Sequence, residues 1–217
     1  MREYYERRAA EYDETILDGT DAATAAAFNR ELDDLGRVLA ALPPARVLDV
    51  ACGTALFTRY LRGELVALDQ SEGMLGIART RVPAARLVRA AVPSLPFVDL
   101  AFDRLCSAHF YGHLVEAERV AFLAEARRVA SELQVVDEAV HAGAQPDGWQ
   151  QRTLRDGSQY TIYKRHFTPE QLEAELGGDG EVLFAGRFFV AVRSRPAADG
   201  GSAAKLASFG HTVVAGV

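Results

Sequence analysis

Apolar positions along the chain recur with two periods, and the switch between them marks out the elements. Positions 2–17 carry Tyr5, Ala9 and Tyr12 at helical spacing on one face. A second helix is predicted over 21–41, with Phe28, Leu32, Leu35 and Leu39 as its apolar stripe and Pro43 and Pro44 ending it. Short apolar runs follow at 46–50, 65–69, 86–90, 102–107 and 133–137, and each reads as a strand. Helical patterns lie between them at 56–61, at 71–81 with Ser71 as N-cap, and at 116–130. Strands alternating with helices over 45–138 predict βαβ units and a parallel sheet covered on both faces. The pattern then changes. Two runs, 151–154 and 160–166, flank Asp156-Gly157, a hairpin turn signal. A short helix at 169–176 and a last strand pair, 182–184 and 188–192, complete the order. The stretch 197–202 is linker-like, and 197–217 reads as a tail.

The composition narrows the function. Of 217 residues, 49% are hydrophobic and 25% charged, a globular balance. The net charge of −6 lacks the basic footprint of phosphate-backbone binding, which argues against a nucleic-acid partner. No apolar run approaches the roughly 20 residues needed to span a bilayer. The N-terminus is charged and amphipathic and has no signal-peptide core. Cys52 and Cys106 lie far apart in apolar runs, which suits reduced thiols and a cytoplasmic setting. No set of metal ligands stands out.

The chemistry concentrates at 47–55, Val-Leu-Asp-Val-Ala-Cys-Gly-Thr-Ala. In an open α/β sheet, ligands bind at the carboxyl ends of the strands, where the strand order reverses. The first such turn needs small residues so that backbone can approach a ligand, and Ala51, Gly53 and Ala55 meet that need. The N-terminus of a following helix would favour an anion such as a carboxylate. Asp69 ends the second strand, where its carboxylate can accept both hydroxyls of a ribose. A buried turn glycine and a strand-end aspartate also have purely structural readings, but each sits where a nucleoside requires it. A nicotinamide fingerprint needs glycines at offsets 0, 2 and 5. Counting from Ala51, the third position is Leu56, which argues against that cofactor.

The segment 47–55 resembles the first motif of class I S-adenosylmethionine-dependent methyltransferases of the bacterial small-molecule type. Leu68-Asp69-Gln70-Ser71-Glu72-Gly73-Met74-Leu75 resembles their second motif. Leu95-Pro96-Phe97 with Ala101-Phe102-Asp103-Arg104-Leu105 resembles a third segment, and positions 4–13 are similar to their N-terminal lid helix. The resemblance implies a doubly wound, mostly parallel seven-stranded sheet, a Rossmann-like α/β fold with a helical lid and an inserted β-hairpin. It implies one domain over 1–196, with the lid at 1–42, the cofactor-binding core at 45–138 and the acceptor-side hairpin and last strands at 149–194. The implied cofactor is S-adenosylmethionine, its product S-adenosylhomocysteine. Asp49, Ala51 and Gly53 would surround its methionine end, and Asp69 would hold the ribose. Gln70 and Met74 would line the adenosine pocket, with Arg8 and Tyr12 closing from the lid. Three departures stand out. Ala51 and Ala55 replace two glycines and would crowd the ligand. Adenine would rely on backbone near Ala91 and Val92, because Ala91 stands where an acid is frequent. Ala130-Ser131-Glu132 replaces a Pro-Gly-Gly turn.

The implied partner is a small-molecule acceptor methylated on oxygen or nitrogen. His109 and then His113, after the fourth strand, are candidates for a base or an orienting group, since a histidine titrates near neutrality. Both also have structural readings as hydrogen-bonded histidines. Period-two alternation puts Lys164 and His166 on one hairpin face, Tyr163 and Arg165 on the other. A cation facing the pocket would suit an anionic acceptor. A relative that binds the cofactor without methylating is the alternative, and a partner-binding module on the same fold is a third. The sequence does not decide the acceptor or the oligomeric state.

Overall fold

The computed structural model describes residues 2–142, 144 and 147–196. The expected tail at 197–217, which includes His211, lies outside the described residues. The N-terminal segment is α1 (Arg2–Arg8), a 3-10 turn (Ala9–Glu11) and α2 (Tyr12–Thr15), where the periodicity predicted one helix to 17. Helix α3 (Ala22–Ala41) starts where Asp21 accepts the Ala23 and Thr24 backbone N–H groups at 2.9 Å. It buries Leu32, Leu35 and Leu39.

Next come β1 (Ala45–Val50), β2 (Gly63–Asp69), α4 (Glu72–Arg81), β3 (Arg86–Arg89) and β4 (Phe102–Ala108). Helix α5 (Glu116–Val129) runs directly into β5 (Ala130–Glu138). The hairpin is β6 (Gly148–Thr153) and β7 (Gln159–Lys164), then come α6 (Pro169–Leu176), β8 (Asp179–Ala185) and β9 (Phe189–Arg195). The seven-stranded sheet has the order β3-β2-β1-β4-β5-β9-β8. Only the β5–β9 and β8–β9 pairs are antiparallel. Order reverses between β1 and β4, so their carboxyl ends form the switch point.

The sheet is buried on both faces, as parallel sheets are. Leu48, Val50, Val190 and Val192 pack with Phe122, Leu172 and Leu176 from α5 and α6. Val47, Phe189 and Ala191 face the other way, onto Leu32, Leu35 and Leu39 of α3.

One expectation fails for a local reason. The helix predicted at 56–61 is a single 3-10 turn, Thr58–Tyr60. Ala51, Gly53 and Ala55 have φ of 56°, 55° and 63°, so the chain leaves β1 in a left-handed turn that cannot seed a right-handed helix. Leu56, Phe57 and Leu61 are drawn into the core beside α3 instead. The hairpin forms where it was expected, with Asp156-Gly157 inside a five-residue turn, 154–158, closed by Leu154 N–H to Ser158 O at 2.9 Å. The substituted turn at 130–132 is the start of β5. Buried there, Glu132 pairs with Arg104 and with Arg195 at 2.6 Å, which gives that departure a structural role.

Candidate active site

The carboxyl ends of β1, β2, β3 and β4 enclose a cavity of about 310 Å³, within the range of small-ligand pockets. It is lined by the 51–54 turn with Asp49, by Asp69, Gln70 and Met74, and by Ala90 and Val92. The lid adds Tyr5, Tyr12 and Ile16, and His109 closes the far side.

At this end the polar groups are held by backbone. Asp69 is buried, and its two oxygens accept Gly53 N–H at 2.9 Å and Ser71 N–H at 2.8 Å. A carboxylate oxygen has more than one lone pair, and Asp69 lines the cavity. Burial raises its pKa against those two bonds. Asp49 accepts the Thr58 hydroxyl at 2.5 Å, and burial pushes its pKa up to about 7. A Cβ on Gly53 would meet nothing within 4 Å, so glycine is needed there for its φ, with open space beside it. The strand-to-helix N-terminus expected to attract an anion does not exist, because no α-helix follows β1.

Ala51 borders the cavity, but Ala55 does not. Its methyl is fully buried against Ala78 and Val82. The expected crowding by Ala55 is therefore corrected: the left-handed turn aims its side chain into the core. Ala91 is exposed and does not line the cavity; Ala90 and Val92 on either side of it do. Arg8 does not reach this cavity either. Its guanidinium lies 4.7 Å from the Tyr12 ring centre and donates to the Tyr4 hydroxyl at 2.8 Å.

A larger cavity of about 690 Å³ adjoins the first under the lid and shares Tyr5, Tyr12, Ile16 and His109 with it. Arg8, His113, Glu138, His141, Arg152, Lys164 and Arg187 also line it. His109 has φ of 54°, a conformation that residues other than glycine adopt rarely and that clusters at functional sites. Its ring lies against Phe57 and Phe189, at 5.2 and 5.4 Å between centres, and burial lowers its pKa. Its Nε2 is buried and has no hydrogen-bond partner among the described residues. His113 lines only the larger cavity. Its Nδ1 donates to the Tyr163 carbonyl at 2.8 Å, and burial lowers its pKa to about 4.

The hairpin alternation holds for Lys164 and His166, both buried, although β7 ends at Lys164. Arg165 turns away to Glu175 and Phe167. Sequence reasoning missed what Lys164 meets. Its Nζ lies 3.0 Å from both Asp137 Oδ1 and Glu138 Oε1, two carboxylates at the end of β5. Adjacent acids closing a buried strand were the available signal. It also missed the lid anchor, where Asp13 accepts the Thr54 hydroxyl at 2.7 Å and pairs with Arg81 at 2.5 Å. Among the described residues no group of three metal-ligating side chains is gathered, and no helix is long and apolar enough to cross a membrane.

A family model for a methyltransferase domain matches residues 48–132. Demethylmenaquinone methyltransferase of Bacillus cereus (strain AH187) is 36% identical over 78 residues, 31% of this chain. The match spans about a third of that relative, 33% of its length. The solved DhpI-SAM-HEP complex is 27% identical with a TM-score of 0.67, over 89% of this chain and 95% of that one. The PH0226 protein of Pyrococcus horikoshii OT3, at 18% identity and a TM-score of 0.62, covers 90% of this chain and 99% of its own, a likeness of fold alone. The matched methyltransferase domain, the strand order and the likeness to the solved complexes with SAH and SAM all support a class I S-adenosylmethionine-dependent methyltransferase family for this chain.

Proposed function

We propose that this protein transfers a methyl group from S-adenosylmethionine to an oxygen or nitrogen atom of a small-molecule acceptor. The observation that carries this reading is the pair of cavities meeting at His109, one at the nucleoside position of the fold and one under the lid. When bound, S-adenosylmethionine supplies a methyl carbon on a sulfonium whose C–S bonding pair stays with sulfur on transfer.

This chain's residues then have simple tasks. Asp69 accepts the ribose hydroxyls with the lone pairs its backbone partners leave free. Gln70, Met74, Ala90 and Val92 line the adenosine side, and Asp49, Ala51 and Gly53 the methionine side. Tyr12 covers this cavity from the lid, and Arg8 stiffens Tyr12 by stacking on it. His109 borders both cavities, and its Nε2 has no partner among the described residues, which suits a base or an orienting group better than the committed His113. Holding the acceptor in a near-attack geometry supplies much of the rate in such a displacement. Arg8 and Arg187 line the larger cavity and pair with no carboxylate among the described residues, which favours an acceptor with an anionic group remote from its nucleophilic atom. The two thiols, Cys52 and Cys106, are free and suit a reducing, cytoplasmic setting.

Calorimetry tests the cofactor half. S-adenosylhomocysteine should bind in the micromolar range and NAD hardly at all. Asp69→Ala should weaken binding by about 1.5–3 kcal/mol, the value of hydrogen bonds to a charged group. Asp69→Asn should retain part of that, since the amide oxygen still accepts. Unchanged affinity for both variants would overturn the assignment.

A further inference from the structure

Groups from the turn after β4, the end of β5, the end of β7 and the residue before β6 gather near His109. Asp137 is fully buried. Its Oδ2 accepts Gly112 N–H at 2.7 Å, and its Oδ1 accepts from Lys164 Nζ at 3.0 Å. A Cβ on Gly112 would lie 2.8 Å from that carboxylate, so glycine is what lets the backbone come so close. Glu138 stands next to it and lines the larger cavity. Its Oε1 is 3.0 Å from Lys164 Nζ and 3.9 Å from His109 Nδ1, and its Oε2 is 3.4 Å from His166 Nε2. His166 is itself held by Asp147, 2.9 Å from its Nδ1. The two ring nitrogens of His109 therefore meet different surroundings. Nδ1 faces a fixed carboxylate, while Nε2 is buried with no partner among the described residues, on a side chain that lines both cavities.

We propose that Glu138 is a positioning residue that keeps the His109 proton on Nδ1, leaving the Nε2 lone pair to take a proton from an acceptor that arrives as an alcohol, phenol or amine. The proposal deepens the methyl-transfer reading and rests on it. In a neutral imidazole one nitrogen donates and the other accepts, and the environment of one fixes the state of the other. At 3.9 Å the contact with Glu138 is longer than a hydrogen bond. It still separates the tautomers, because one turns an N–H toward the carboxylate and the other a lone pair. Burial acts to raise the Glu138 carboxyl, but Lys164 and His166 hold it well below the usual range, so the charge stays in place.

The charge count points to the acceptor class. Asp137, Glu138 and Asp147 oppose Lys164 and His166, which leaves an excess of negative charge in the cluster beside His109. An acceptor whose nucleophilic atom arrived ionised would meet that charge. A neutral X–H group does not. Its X–H bond breaks, the electron pair stays on X for the bond to the methyl carbon, and the proton passes to Nε2. The resulting imidazolium then faces the excess carboxylate. Burial between Phe57 and Phe189 and the charge on Lys164 oppose this protonation, while Glu138 and Asp137 favour it. From the lid, Tyr12 and Arg8 border the same cavity.

Imidazole nitrogen NMR shifts of the full chain with S-adenosylhomocysteine bound test this without an acceptor. Near neutral pH, His109 Nδ1 should give a protonated shift and Nε2 an unprotonated one. Glu138→Ala should drop the Nδ1–H population below half, and Glu138→Gln, whose amide oxygen still accepts, should restore part of it. A wild-type His109 protonated on Nε2 would overturn the proposal, as would an unchanged tautomer in a folded Glu138→Ala protein. Should that variant not fold, the wild-type shifts together with Glu138→Gln decide. Calorimetry on the same samples separates the two readings. Failure of the wild type to bind S-adenosylhomocysteine defeats the methyl-transfer reading, whereas intact binding with the wrong tautomer defeats only the role of Glu138.

Discussion

The two ends of the site are made of different materials. The nucleoside end is built mainly from the stretch 49–74, joined by Ala90 and Val92, and its polar groups are held by backbone: a left-handed turn, two N–H groups and one buried carboxylate they hold. The acceptor end is built from side chains, drawn from the turn after β4, the end of β5, the hairpin and the lid, and joined by buried charge. Backbone geometry survives many side-chain changes. A buried ion cluster does not, because removing one member leaves the others desolvated and unpaired.

The largest contrast is expected in rate. His109→Ala should lower kcat by about 10²–10⁴-fold, the usual worth of a proton-transfer group, and leave S-adenosylhomocysteine affinity nearly unchanged. His109→Asn should recover part of the rate if the residue only orients the acceptor, since an amide hydrogen-bonds but takes no proton at neutral pH. Equal loss of cofactor affinity in both variants would erase the division between the two ends.

Next comes stability at the acceptor end. Lys164→Met leaves two carboxylates buried without their cation and should cost about 3–5 kcal/mol, read as a lower urea midpoint at an unchanged slope. A loss below about 1 kcal/mol, the level of an exposed pair, would mean that water reaches the cluster.

The smallest effects belong to the nucleoside turn. Glycine at 51 or 55 relieves a left-handed conformation worth roughly 1–2 kcal/mol and adds about 0.5–1 kcal/mol of backbone entropy cost. At 55 it also gives up a buried methyl of about 0.8 kcal/mol. Ala51→Gly should therefore stabilise slightly, and Ala55→Gly should be near neutral. Ala55→Gly should also leave cofactor affinity unchanged, because its methyl packs on α4. Tighter binding by Ala55→Gly would restore the crowding that the sequence suggested.

The same contrast explains what could be read before the structure. Asp49, Gly53 and Asp69 were legible because strand, turn and acid lie close together in sequence, and local propensity fixes their spacing. Ala91 was misplaced by one position, since only the path after β3 decides which of 90–92 face the cavity. The crossover after β1 was misread as a helix, because three left-handed residues in five override an apolar pattern of helical period.

By itself the sequence determined the α/β class, the parallel core and the position of the small-residue turn at the switch point. These follow from hydrophobic period and short-range motifs. Only the tertiary structure decided that Asp137, Glu138 and Lys164 form one buried cluster, that Arg165 leaves the site and that Asp13 ties the lid to Thr54. Those contacts join residues 27 and 41 positions apart. They exist because sheet order and hairpin placement bring distant charges together in a dry interior, where each must find a partner.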